Sequence, residues 1–362
     1  MEEIPLPPPP HEAHMYDFRS DTCTIPTHSM LESIQSASLG DDVLKEDKTT
    51  NEFQSWMASL TGKDAALFCP SGTMGNKAAL TVALPSPPCS VIADPRSFII
   101  STESDGALCG TTIVSIKPRN NHHLVLEDIC DYKTTEAYDN TRPPPARLLC
   151  LEITLQGTVM PLADLRALCF WARAQDPRIH VHVDGARLWE AVASGAGTLH
   201  EYCSAADSVS LVLSKGLGAP AGAVLVGSAE FVAKARICRN ISGGAVRAAG
   251  ILAAPAMAAV QETFLCGQLK LAQQNAAYLS RTWAFHGGQL VFPTETNMVW
   301  LKLTQEQKGR FVELTKAYGI KVLEKGLGRV VVHYQICEDA VDRMCRVMEM
   351  LLINRTPGGL AD

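Results

Sequence analysis

The stretch Val181-His182-Val183-Asp184-Gly185-Ala186-Arg187, with Ser214-Lys215-Gly216-Leu217-Gly218 beyond it, decides how this chain is read. The first part reads as a buried strand that delivers an acid and then a glycine turn. The second follows another apolar run, Val209-Ser210-Leu211-Val212-Leu213, and delivers one lysine. An acid and a lysine at the ends of neighbouring strands suit a pyridoxal phosphate site. The lysine amine can form an imine with the cofactor aldehyde. The carboxylate can pair with the protonated pyridine nitrogen and keep the ring electron-withdrawing. Taken alone, the same letters also fit an ordinary strand-end Asp-Gly and a solvated lysine.

Working outward, short apolar runs at 65–69, 90–94, 112–116, 147–152 and 221–226 read as further strands. Helical patterns at 27–37, 49–60, 77–83 and 162–175 alternate with them. Strands that are nearly all apolar, separated by helices, indicate an α/β fold with a mostly parallel central sheet covered by helices on both faces. Strand ends of such a sheet converge on one edge, where open α/β sheets place ligands. Glu152, Asp184 and Lys215 all fall at or just beyond strand ends, so they are expected to share a crevice.

Ser71-Gly72-Thr73 opens a helix after the strand at 65–69. Backbone N–H groups and the helix dipole make such a turn a phosphate cradle, although plain N-capping uses the same residues. Ser20, in Arg19-Ser20-Asp21-Thr22, fits a helix cap or a contact to a substrate carboxylate. Gly40-Asp41-Asp42-Val43 is a loop. Ser242-Gly243-Gly244 is a turn near Arg236, Arg239 and Arg247, which fit either a phosphate contact, on a neighbouring subunit in one reading, or a solvated basic face. His122 and His123 open a polar, proline-rich excursion over 120–145 and are expected to be exposed.

The alanine-rich run 248–259 reads as a tightly packed helix. Beyond it a smaller α+β C-terminal domain is expected, with helices near 271–284, 305–318 and 338–352 and strands near 298–303 and 329–333. Arg329 begins the last strand, where its guanidinium fits a bidentate carboxylate clamp or a surface ion pair. The expected organisation is a disordered proline-rich tail over 1–14, a large cofactor-binding domain over 15–260 and the small domain over 261–362.

The net charge of −6 and the lack of a basic run argue against nucleic-acid binding. Twelve cysteines without a Cys-x-x-Cys pair read as reduced thiols rather than a disulfide framework or a zinc site, and no metal is expected. The apolar runs are short of a membrane span and no signal segment follows Met1, so the expectation is a cytoplasmic protein with no membrane partner.

Together these motifs resemble the threonine aldolase family of fold-type I pyridoxal phosphate enzymes. The match rests on Arg19-Ser20-Asp21-Thr22, Gly40-Asp41-Asp42-Val43, Ser71-Gly72-Thr73, the Asp184 and Lys215 stretches, Gly243-Gly244 with Arg247, and Arg329 with His333. The resemblance implies that Lys215 binds the cofactor covalently, Asp184 pairs with its pyridine nitrogen and Arg187 bonds its phenolic oxygen. It implies phosphate contacts from Gly72 and Thr73, with Arg247 as a further cofactor contact. Ser20 and Arg329 would bind the substrate carboxylate. It also implies a homo-oligomer, a dimer of dimers, acting on a small amino acid.

Departures from the family pattern bear on the reaction. A histidine that stacks on the cofactor ring is replaced by Phe98, within a stretch running from Ser97 to Gly106. A second histidine, expected near Arg142, has no clear counterpart. The tyrosine after Gly-Asp-Asp-Val is Leu44, the asparagine after Glu152 is Ile153, and a lysine before the Gly-Gly turn is Asn240. Retro-aldol cleavage needs a base for the β-hydroxyl proton, and losing a general base costs on the order of a hundredfold to ten-thousandfold. The machinery for removing a Cα proton is intact. The family includes alanine racemases of fungal peptide biosynthesis, and the departures fit such a member. The sequence therefore favours racemisation of alanine, with L-threonine or L-allo-threonine cleavage to glycine and acetaldehyde as the alternative. A non-catalytic relative is a third reading, opposed by the retention of Lys215, Asp184, Gly72 and Thr73.

Overall fold

The computed structural model describes residues 10–101, 110–130, 143–324 and 328–353. The chain divides into two compact units, Pro26–Cys266 and a second formed by Gly267 onward together with the segment ending at Ile25.

The larger unit is built on seven strands, β1 (Ala65–Cys69), β2 (Ser90–Ala93), β3 (Thr112–Ser115), β4 (Ala146–Glu152), β5 (His180–Gly185), β6 (Ser208–Val212) and β7 (Ala223–Gly227). They lie in the order β1-β7-β6-β5-β4-β2-β3. β7 runs antiparallel to both neighbours, and the remaining pairs are parallel. Every residue of β2, β6 and β7 is buried, as expected where helices cover both faces, whereas the edge strand β3 is exposed at both ends. The helix Gly72–Ala83 packs on β1, β4, β5, β6 and β7, and Ala229–Arg239 packs on β1 and β7.

Side chains two residues apart on a strand share a face. His180, His182 and Asp184 of β5 are therefore aligned, and contacts from Asn76 put the Gly72–Ala83 helix over that face. The helix starts at Gly72, five residues earlier than its apolar pattern indicates, because Ser71 caps it by accepting the Met74 N–H at 3.1 Å.

The second unit pairs β8 (Met298–Trp300) with β9 (Arg329–Val331), antiparallel. Helices Gln268–Phe285, Gln305–Ala317 and Glu338–Ile353 accompany them. Its core gathers Phe18, Trp283, Val330 and Met344, all fully buried. The N-terminal segment joins this unit through Phe18, whose N–H donates to Lys321 O at 2.9 Å and whose carbonyl accepts from Val331 N at 3.0 Å. The proline-rich residues 1–9 lie outside the described residues, while Pro10–Tyr16 forms a short 3-10 helix. No single helix among the described residues is long and apolar enough to cross a membrane.

Three local expectations change. Thr27, rather than the Ser20–Thr22 group, caps the helix His28–Gln35, and Ser20 caps the three-residue 3-10 turn Asp21–Cys23. His123 is buried, because its imidazole meets Asp164 at 2.8 Å and His122 Nδ1 at 2.6 Å. Arg236 and Arg239 are not a solvated basic face. Both bond the buried Asp42, and Arg239 also donates to Phe68 O at 2.7 Å.

Candidate active site

β4 and β5 pair so that Glu152 sits opposite Asp184 at the same edge of the sheet. Asp184 is buried. Its Oδ1 accepts the Ala186 N–H at 2.9 Å and its Oδ2 accepts from Asn76 Nδ2 at 3.0 Å. Gly185 is required by close approach, since a Cβ there would fall 2.8 Å from the Ser210 carbonyl of β6. Trp189 Nε1 donates to Val212 O at 2.9 Å and pins the end of β6. Lys215 follows three residues later, in a turn closed by Gly218 N donating to Lys215 O at 3.0 Å.

The Lys215 amine stands 6.0 Å from the centre of the Phe98 ring. That ring is 44% exposed. The backbone N–H of Phe98 donates to Glu152 Oε2 at 2.6 Å. Burial pushes the Glu152 carboxyl up to about 8, and the charge of Asp184 adds to the rise. The Phe98 N–H, Arg187 and Lys215 act the other way and do not offset it. The family stretch continues from Phe98 into 102–109, and Arg142 falls in 131–142; both segments lie outside the described residues.

Ser71-Gly72-Thr73 forms the N-terminus of its helix, so the capping reading holds and the geometry that a phosphate cradle needs is present. The Ser71 side chain takes the Met74 N–H, and the preceding N–H groups begin a helix without intrahelical acceptors. A Cβ on Gly72 would fall 2.6 Å from Val212 Cγ2, which keeps this turn against the end of β6. A primary amine, a buried carboxylate and a row of helix N-terminal donors therefore border the same strands. That donor set fits a pyridoxal phosphate: an amine for its aldehyde, an anion for its ring nitrogen and N–H groups for its phosphate.

Arg187 begins the helix Leu188–Ala193, and its N–H donates to Ile153 O at 3.3 Å. Arg247 is highly exposed and pairs with Asp41 at 2.8 Å. In the second unit, Arg329 donates to Arg19 O at 3.0 Å, and its guanidinium lies 5.9 Å from the Trp300 ring centre. His333 is buried there, its Nε2 3.2 Å from Asp17 O, and burial lowers its proton affinity. Ser20 Oγ accepts the Thr22 N–H at 3.2 Å.

Sequence reasoning did not single out Asn76, Trp189 or Ser208. Asn76 was within reach: it lies four residues after Gly72, one helical turn further along the same face. Ser208 opens a short strand in which serine alternates with apolar residues, and only the register with β5 reveals its partners.

A family model described as beta-eliminating lyase matches residues 17–306. The chain is 45% identical over 354 residues to a protein named aldolase vrtJ of Penicillium aethiopicum, covering 96% of this chain and 88% of that one. It is 37% identical to the low-specificity L-threonine aldolase of Candida albicans, covering 91% and 87%. It is 36% identical to the alanine racemase TOXG of Cochliobolus carbonum, covering 93% and 87%. With four-fifths of its length inside the family model and these relatives along nearly all of it, the chain belongs to the beta-eliminating lyase family, as a threonine aldolase-like fold-type I enzyme dependent on pyridoxal phosphate.

Proposed function

We propose that this enzyme exchanges the Cα proton of a small amino acid and that its reaction is the racemisation of alanine. The observation that carries this reading is Phe98, a phenyl ring facing Lys215 at 6.0 Å where the family pattern has a histidine. Carbon offers no acceptor for a β-hydroxyl proton, whereas removal of Cα–H needs only the lysine.

Pyridoxal phosphate, when bound, supplies an electron sink that weakens the bonds at the substrate Cα. Lys215 would anchor the cofactor and move the proton at Cα. Asp184 would pair with the ring nitrogen, and Arg187 would bond the phenolic oxygen. Gly72 and Thr73 would present N–H groups to the phosphate, with Phe98 beside the ring. On the family resemblance, Ser20 and Arg329 hold the substrate carboxylate. Racemisation also needs a donor on the other face. We assign that role to Glu152, which is pushed up to about 8 and held by the Phe98 N–H.

The second reading is aldol cleavage of threonine or allo-threonine. It is favoured by the names of the Penicillium and Candida relatives, with a water or deprotonated Glu152 as the base. Products separate the two. L-alanine giving D-alanine, with no glycine released from L-threonine, supports racemisation. Glycine from L-threonine without any D-alanine sinks it.

We also propose a homo-oligomer. Asp42 ties the loop after Gly40 to Arg236, Arg239 and Arg247, and around this junction Leu39, Leu44, Ile237 and Ile241 are all exposed. An apolar patch of this kind suits a second copy of the chain. Arg247 would then reach a neighbouring subunit's cofactor phosphate.

A further inference from the structure

A line of polar side chains crosses the larger unit from one edge of the sheet to the other. His180 Nε2 lies 2.8 Å from Ser208 Oγ, and the same Oγ lies 2.9 Å from His182 Nδ1. His182 Nε2 lies 3.2 Å from Asn76 Oδ1, and Asn76 Nδ2 donates to Asp184 Oδ2 at 3.0 Å. His182, Ser208 and Asp184 are buried, so water competes little for these contacts. We infer that Asn76, His182, Ser208 and His180 form a one-way hydrogen-bond relay whose donors all point toward Asp184 and hold its carboxylate as the anion.

The direction follows from the acceptor at one end. A carboxylate oxygen only accepts, so the Asn76 amide must turn Nδ2 to Asp184 and Oδ1 to His182. Oδ1 only accepts, so His182 carries its proton on Nε2. Burial pushes the proton affinity of this imidazole down to about 3, which keeps it neutral and leaves Nδ1 as an acceptor. The Ser208 hydroxyl must then donate to His182 and accept from His180 Nε2. His180 is also neutral, lowered to about 4 by burial, and its ring is stacked on Phe231 at 5.0 Å. The Ser208 carbonyl also faces His182 and favours the opposite tautomer. Adopting it would turn Asn76 over and set amide oxygen against carboxylate oxygen.

Dipoles aligned head to tail in a low-dielectric interior reinforce one another. The relay ends at His180, which lines a cleft of about 460 Å³ with Arg178, Asp207 and Lys234. The carboxylate is therefore oriented from the edge of the sheet opposite to its own. Asn76, His182, Ser208 and His180 are positioning residues, acting through Asp184. Their link to chemistry rests on the proposal that Asp184 pairs with the pyridine nitrogen.

Histidine-labelled holoenzyme tests the relay without any substitution. Two-bond ¹H–¹⁵N correlation spectra should show His182 and His180 neutral, with the proton on Nε2, from pH 6 to 8. A proton on His182 Nδ1 overturns the relay. Cofactor labelled with ¹⁵N at the ring then tests the link. Asn76→Ala should shift the ring-nitrogen resonance toward the unprotonated range and weaken cofactor binding about tenfold, the loss of one hydrogen bond to a charged group. Ser208→Ala should do the same to a smaller degree, and Ser208→Thr should restore it. An unmoved resonance and affinity in Asn76→Ala, with native melting, overturn the relay's effect on the site. If Asp184→Asn also leaves the resonance unmoved, it is the pairing of Asp184 with the ring that fails, while the tautomer result still judges the relay.

Discussion

Glu152 and Asp184 are carboxyl groups at the same register of adjacent parallel strands, yet their surroundings differ. Asp184 receives one hydrogen bond on each oxygen, from a backbone N–H and from an amide. Glu152 shows one, from the Phe98 N–H, and faces the charge of its neighbour. Donors favour the ionised form; burial and a like charge favour the neutral one. On the proposed function, these two acids side by side take different roles, Asp184 toward the cofactor ring and Glu152 as the proton carrier for the substrate. Environments that push paired titratable groups apart mark acid and base roles.

The comparison breaks most severely with Asp184→Asn. Losing the charge opposite the ring nitrogen should lower turnover on the order of a hundredfold to a thousandfold. Glu152 should at the same time titrate lower, because the like charge that raises it is gone; a carboxyl-labelled NMR titration reads this directly. Phe98→His comes next. It keeps the backbone N–H on Glu152 but adds an imidazole beside Lys215, so L-threonine cleavage should rise on the order of a hundredfold, assayed as glycine released. No gain would mean that the missing histidine does not set the reaction.

Glu152→Gln should cost about a hundredfold in racemisation if Glu152 is the proton donor, and the smallest effect of all is its effect on stability. Glu152 lies near 8 in the folded chain and near its ordinary 4.5 when unfolded, so the folded state holds a proton that the unfolded chain releases. Its contribution to stability is greatest below the unfolded value and falls as pH rises through 8, by at most about 1.4 kcal/mol per pH unit. Denaturant melts of the cofactor-free protein from pH 5 to 9 should show this decline. Glutamine, which still accepts the Phe98 N–H, should flatten it.

Much of this arrangement is legible in the letters. Buried strands followed by Asp184-Gly185 and Ser214-Lys215-Gly216 fix the sheet edge, because short apolar runs between helices fold only as a covered parallel sheet. Ser71-Gly72-Thr73 is readable as a helix N-terminus for the same local reasons. What escaped depends on contacts distant in sequence. Arg239 and Asp42 are 197 positions apart, and their bond turns an expected surface cation into a buried strut. His123 is buried by Asp164, 41 residues away. The raised proton affinity of Glu152 comes from burial and from the strand beside it, which no run of residues around position 152 records.

The most direct test of the account is the hydrogen at Cα. Holoenzyme incubated with L-alanine in heavy water should yield D-alanine carrying deuterium at Cα, and Lys215→Ala should abolish the exchange. Alanine that keeps its Cα hydrogen and its chirality, while the same preparation releases glycine from L-threonine, would contradict it.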